Sequence, residues 1–280
     1  MTNRGTITLV ALLLTSAGAG AALAGQTSPG SLSASPSALP MTATAAGAYL
    51  APGTGIDSVA LVPPVPAAGS ATEARDHAAA DRALALQGKA RFALAASDAD
   101  LWSPKATGTF SCTAGLAITP TDTPALNRLM RRAMIDFGMA TSGAKDKYKR
   151  PRPFMENGKP TCTPSQEAGL RTNGSYPSGH SAIGYGWGLL LAELIPDRAT
   201  QLVARGRTFG ESRRICNVHW ESDIEEGRVV ASAVFARLQT EPGFQADLAA
   251  ARAELASQPH KAPDRDCAAE AAALAEDIPG

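Results

Sequence analysis

From Ser181 to Leu194 the chain is apolar for about four helical turns, and Gly184, Gly186 and Gly188 fall within that run. Each glycine costs an isolated helix roughly 1 kcal/mol relative to alanine. What glycine gives in return is close approach of a neighbouring backbone, so this segment is stable only as a buried helix crossed by others. Pro196 ends it. No alternating apolar pattern of strand length appears elsewhere, and there is no internal repeat. Aromatic residues make up only 5% of the chain while alanine is abundant, which favours close-packed helices over a β-sandwich. The 280 residues suffice for one substantial core. The expected fold is all-α, a single helical-bundle domain.

Other segments fit that frame. Thr72 is placed to cap a helix continuing through Ala-rich sequence to about Asp98, with Glu73 and Asp76 near its positive end. Pro124 to Gly138 carries Leu126, Leu129, Met130 and Met134 at helical spacing. Thr200 to Gln239 predicts one or two further helices, and Phe244 to Ala256 another. Before these lies a stretch from Tyr49 to Ser70 containing Pro63, Pro64 and Pro66, which predicts an extended arm rather than a helix. Residues 25–47 are rich in Ser, Thr, Ala, Gly and Pro and nearly uncharged, the composition of a flexible leader. The domain is expected over 48–258, with a C-terminal tail at 259–280.

The start of the chain has the form of an export signal. Arg4 supplies a basic start, Ile7 to Leu14 an apolar run, and Ala22-Leu23-Ala24 a small-residue cleavage pattern, so residues 1–24 are expected to be removed. The apolar run is too short to span a bilayer. A soluble periplasmic or secreted protein is expected, with no membrane contact after cleavage. In an oxidising compartment Cys112, Cys162, Cys216 and Cys267 suggest two disulfides, the alternative being buried free thiols; three connectivities stay open. None of the four has zinc-site spacing. With 26 basic and 26 acidic residues, nothing in the charge balance points to nucleic acid.

Three short clusters hold the chemistry. Lys145 to Pro153 places five basic side chains within eight positions, and its prolines fix Arg152 outside a long helix. Taken alone, such a run is more often a solvated basic face. Gly174-Ser-Tyr-Pro-Ser178-Gly179-His180 opens directly into the glycine-bearing helix, where free N–H groups and the helix dipole make an anion site. A serine-hydrolase elbow is excluded there because the G-x-S-x-G spacing is missing. In the third cluster, Ser212-Arg213 through His219 to Asp223, the last two residues are four apart. On one helix face Asp223 would reach the His219 ring, hold Nδ1–H and leave Nε2 as a lone-pair donor.

Together these residues fill the pattern K-x6-RP, PSGH and SR-x5-H-x3-D at every defined position. The chain therefore resembles the type 2 phosphatidic acid phosphatase superfamily. Tyr49-Leu50, the Pro63-Pro64 arm, Lys145-x-x-Tyr148-x-Arg150-x-Arg152-Pro153-Phe154 and Gly174 to His180 are most similar to the class A bacterial non-specific acid phosphatases. The resemblance covers roughly 48 to 240. Ser181 departs from the threonine expected there, and either residue can cap the helix.

The resemblance implies a metal-free, cofactor-free acid phosphatase acting on small phosphomonoesters, with broad specificity and a homo-oligomeric state. His219 would be the nucleophile, His180 the proton donor and Asp223 the residue that orients His219. Lys145, Arg152, Arg213, Ser178 and Gly179 would bind phosphate. An acid-favoured rate and insensitivity to chelators are expected. The same pattern serves vanadium-dependent haloperoxidases, which are usually much longer. A membrane-lipid phosphatase would carry spanning helices. A non-catalytic phosphate-binding module would not need both histidines and Asp223. His77 and His260 are expected to be surface or packing residues. Arg150 and Arg214 either pair with Asp146, Glu221 or Glu225, or border the site.

Overall fold

The computed structural model describes residues 47–51, 53–257 and 259–276. The expected signal sequence and residues 25–46 of the leader lie outside the described residues. Every regular element among those described is helical. In chain order these are α1 (Ser58–Leu61), α2 (Ala71–Leu84), α3 (Ala90–Ser97), α4 (Ser111–Ala114), α5 (Pro124–Met139), α6 (Ser142–Tyr148) and α7 (Pro153–Asn157). They continue with α8 (Glu167–Arg171), α9 (Gly179–Leu194), α10 (Ala199–Ile215), α11 (Glu221–Leu238), α12 (Pro242–Ala256) and α13 (Cys267–Leu274). No helix among the described residues is long and apolar enough to cross a membrane.

The glycine-bearing helix is α9, and it is central, packed on α10, α11 and α5. Its glycines work as their spacing predicts. A Cβ at Gly186 would lie 2.5 Å from three ring atoms of Phe137 on α5, and one at Gly188 would lie 2.8 Å from the backbone oxygen of Leu202 on α10. Between these helices Trp187, Phe110 and Phe209 form an aromatic cluster with ring centroids 6.0–6.2 Å apart. The buried Trp187 indole keeps its hydrogen bond by donating to the Met130 carbonyl at 2.8 Å.

Several boundaries differ from the sequence expectation. The first long helix starts one turn's edge earlier, capped by Ser70, whose Oγ accepts the Glu73 N–H at 3.2 Å. It is also broken in two near Gly88, whose φ of 79° no continuous helix accommodates. The Thr200–Gln239 region forms two helices separated by the turn at 216–220. The arm contains the single turn α1, capped by Asp57, and it is pinned to the core. The N–H groups of Tyr49 and Leu50 donate to Asp136 at 2.8 and 3.0 Å, and the Tyr176 hydroxyl donates to the Pro63 carbonyl at 2.9 Å.

Both disulfides form, joining Cys112 to Cys267 and Cys162 to Cys216. The first fastens α13, in the segment after 259, to the start of α4.

Candidate active site

The last turns of α6 and α10, the starts of α7, α9 and α11, and the turn at 216–220 build the site. Lys145 lies in the last turn of α6, and its Nζ donates to the carbonyls of Gly174 at 2.8 Å and Ser175 at 3.2 Å. Lys149 then takes a left-handed conformation with φ 45° and ends the helix. Arg152 caps α7 between its two prolines, with 2% of its surface exposed. Its Nε donates to Leu170 O at 2.9 Å and its Nη1 to Val218 O at 2.9 Å, and Nη1 stands 3.0 Å from His219 Nε2. The first sequence cluster therefore touches both others.

Ser178 caps α9. Its Oγ accepts from the Ser181 N–H at 3.2 Å and from the Ser181 hydroxyl at 2.9 Å. The first-turn N–H groups of Gly179 and His180 have no intrahelical acceptor, which leaves them for an anion. His180 is half-buried, and its Nε2 is 3.1 Å from Ala99 O. A carbonyl only accepts, so Nε2 carries a proton and Nδ1 is the nitrogen left for a substrate.

His219 and Asp223 meet, though not on one helix face as their spacing suggested. His219 sits in the turn after α10, where Asn217 takes φ 62°, while Asp223 belongs to the first turn of α11. From there Asp223 Oδ2 reaches back to the Trp220 N–H at 2.9 Å and to His219 Nδ1 at 3.2 Å. Asp223 thus both caps α11 and orients the ring, with Nε2 on the far side toward Arg152. Arg213, on α10, is fully buried. Its Nη1 has only the Cys216 sulfur at 3.9 Å, and Nε and Nη2 have no partner among the described residues. Two unpaired nitrogens on a buried guanidinium are costly unless an oxyanion takes their N–H bonds.

The electrostatics of this cluster follow from its burial. Burial, then the neighbouring Arg152, holds the Lys145 ammonium down to about 7. Burial likewise lowers Arg152 to about 10 and Arg213 to about 9. The imidazole of His219 is pushed well below its usual range by burial and then by Arg152, Lys145 and Arg213. His180 is lowered as well, by burial and then Arg213, with the Ala99 carbonyl opposing. Burial pushes the Asp223 carboxyl up against Arg150 and the Trp220 N–H. A dianion is the natural complement to three buried cations facing two neutral imidazoles.

Two contributors were not assigned from the sequence. Arg150 pairs with none of Asp146, Glu221 or Glu225. Its Nη2 bonds Asp76 at 2.7 Å, and its Nη1 bonds Asp223 Oδ1 and the Ser222 hydroxyl, each at 2.8 Å. Asp76 comes from α2, a distant segment, so local spacing gave no hint of the pair. A signal did exist: Asp76 shares the buried face of α2 with Ala79, Ala80 and Ala83, and a carboxylate there requires a partner. The second contributor is the Ala99 carbonyl, which no side-chain pattern reports. Arg214 does pair with Glu221, and with Glu211 at 2.8 Å. His77 packs its ring on Trp220 with centroids 4.8 Å apart, and His260 Nε2 lies 2.8 Å from Leu255 O.

Comparisons with known proteins agree with this arrangement. A family model described as PAP2 superfamily matches residues 132–240, a span holding all three clusters. The chain is 41% identical over 209 residues to a non-specific acid phosphatase of Providencia stuartii, an alignment covering 74% of this chain and 84% of that protein. It is 41% identical over 208 residues to a non-specific acid phosphatase of Salmonella typhimurium, covering 74% and 83%. An acid phosphatase of Zymomonas mobilis is 38% identical over 199 residues, covering 71% and 75%.

Proposed function

Because the chain belongs to the PAP2 superfamily and is an acid phosphatase, we propose that it hydrolyses phosphate monoesters through a phosphohistidine at His219, without a metal ion. The observation that carries this reading is the His219 ring itself. Asp223 holds Nδ1 at 3.2 Å, Nε2 stands 3.0 Å from Arg152, and the ring is kept neutral by burial and surrounding cations. Arginine only donates, so Nε2 carries the lone pair a nucleophile needs, and Arg152 releases it on turning to a phosphate oxygen.

Lys145, Arg152 and Arg213 take the phosphate oxygens, with the N–H groups of Gly179 and His180 and the Ser178 hydroxyl completing the cradle. They bring the positive charge that a metal would otherwise supply. The His219 Nε2 lone pair attacks phosphorus in line, the P–O ester bond breaks, and the His180 Nδ1 proton goes to the departing oxygen. Water, deprotonated by His180, then attacks the phosphohistidine and returns His219. His180 is neutral in the ligand-free site, so the phosphate must bring the negative charge that keeps the imidazolium protonated, or bring the proton itself as a monoanion. Acid pH favours both. Every group named grips phosphate and none grips the alcohol, which supports broad specificity. The apolar N-terminal run with its small-residue cleavage pattern and the two disulfides support export to the periplasm or beyond.

The test is p-nitrophenyl phosphate hydrolysis from acid to mildly alkaline pH with excess chelator, comparing the wild type with His219→Ala. Acid-favoured, chelator-resistant turnover that is lost in the variant is expected. Activity removed by chelation and restored by a divalent ion would overturn the metal-free mechanism, and an active His219→Ala enzyme would overturn the nucleophile assignment.

A further inference from the structure

Among the described residues the His180 ring has one hydrogen-bond partner, the Ala99 carbonyl at 3.1 Å from Nε2. That carbonyl lies two residues past the end of α3. The Asp98 N–H donates to Leu94 O at 2.9 Å and the Ala99 N–H to Ala96 O at 3.3 Å, after which the chain leaves the helix. The last carbonyls of a helix have no intrahelical donor and ordinarily turn to water. An unrestrained helix end is a poor place from which to aim a catalytic ring.

This end is restrained by a carboxylate that the reaction does not use. Asp98 is fully buried and accepts four hydrogen bonds. Its Oδ1 takes Arg205 Nη2 at 2.5 Å and the Thr109 hydroxyl at 2.8 Å, and its Oδ2 takes Arg205 Nη1 at 3.1 Å and the Ser212 hydroxyl at 2.7 Å. Arg205 and Ser212 both lie on α10, the helix that carries Arg213. Asp98 thus bolts the residue before the His180 acceptor to the residue before a phosphate-binding arginine. As a source of stability a buried ion pair is poor, since its desolvation offsets most of the Coulomb gain. What it provides is fixed geometry between two elements.

We propose that Asp98 is a positioning residue for the acid step, holding the Ala99 carbonyl so that the His180 ring presents Nδ1 to the departing ester oxygen. The inference rests on His180 being the proton donor. No group in this strut touches substrate. A shift passed to Arg213 through Ser212 slows every substrate alike, so the strut's selective effect is confined to the proton transfer, in which the Nδ1–H proton moves to the alkoxide as the P–O bond breaks.

That confinement makes the proposal testable by leaving group. p-Nitrophenolate departs with little help, while the alkoxide of glycerol 2-phosphate needs the proton. In Asp98→Asn, kcat/KM for glycerol 2-phosphate should fall roughly 10- to 100-fold, and for p-nitrophenyl phosphate by less than about threefold. His180→Ala should show the same bias more strongly. Where Asp98→Asn does not fold, Thr109→Val, which removes one bond to Asp98, should shift the ratio in the same direction. Equal losses on the two substrates, or none, in whichever of these variants folds would overturn the role of Asp98, since damage to the fold lowers both alike. Equal losses in His180→Ala would instead remove the proton-donor assignment, and the inference with it.

Discussion

Lys145 gives the sharpest quantitative handle on the site. Its ammonium is held down to about 7 because the cavity is buried and already contains Arg152. An anion in the cradle reverses that balance, since it attracts the charge that burial repels, so binding must be accompanied by proton uptake at Lys145. With a free-state pKa of about 7, roughly half of the Lys145 side chains are neutral at pH 7 and roughly nine in ten at pH 8. Sulfate is a suitable probe because it stays a dianion across this range and exchanges no proton itself. Calorimetric titration with sulfate in buffers of different ionisation enthalpy should therefore show an uptake of at least about 0.5 proton at pH 7 and about 0.9 at pH 8. From Lys145 alone the affinity should weaken about fivefold from pH 7 to 8 and nearly tenfold from 8 to 9, about 1.4 kcal/mol for the second step, to which Arg213, lowered to about 9, adds roughly a further factor of two. In Lys145→Met the uptake at pH 8 should fall by about 0.9 proton, leaving only what the histidines take up, and most of the affinity should be lost. A wild-type affinity that does not change between pH 7 and 9, or a Lys145→Met protein whose uptake at pH 8 equals that of the wild type, would refute the reasoning.

Two further predictions concern the frame. Gly186→Ala places a methyl within 2.5 Å of the fully buried Phe137 ring; denaturant unfolding should show a loss of about 1–3 kcal/mol or more, whereas a change under about 0.5 kcal/mol would mean that α5 and α9 separate easily. Replacing Cys112 and Cys267 with serine opens a cross-link spanning 155 residues; the expected cost is about 2–5 kcal/mol, read as a fall in Tm relative to the oxidised wild type.

The sequence carried the site's composition further than its architecture. Lys145, Arg152, Ser178, Gly179, His180, Arg213, His219 and Asp223 are legible because each sits in a local pattern, and in the structure the three patterns meet through Lys145 on Gly174 and Arg152 beside His219. The central helix was legible for the same reason, since a glycine-rich apolar run has few ways to fold. Contacts between distant segments were not legible. Asp76 meets Arg150 across 74 positions and Asp98 meets Arg205 across 107, and no local spacing encodes either pair. The geometry of His219 and Asp223 was misread because a four-residue interval suits a helix face and a helix cap equally well. The strained Asn217 in the turn before His219 decides for the cap. The backbone oxygen of Ala99 had no signal at all, since any residue at that position offers the same carbonyl.

The central claim is that phosphate passes through a covalent bond to the enzyme, and the stereochemistry at phosphorus tests it most directly. Transfer from a chiral, isotopically labelled phosphate monoester to an acceptor alcohol should proceed with net retention, because attack by His219 and then by the acceptor inverts the centre twice. Net inversion would mean a single direct displacement and would contradict the account.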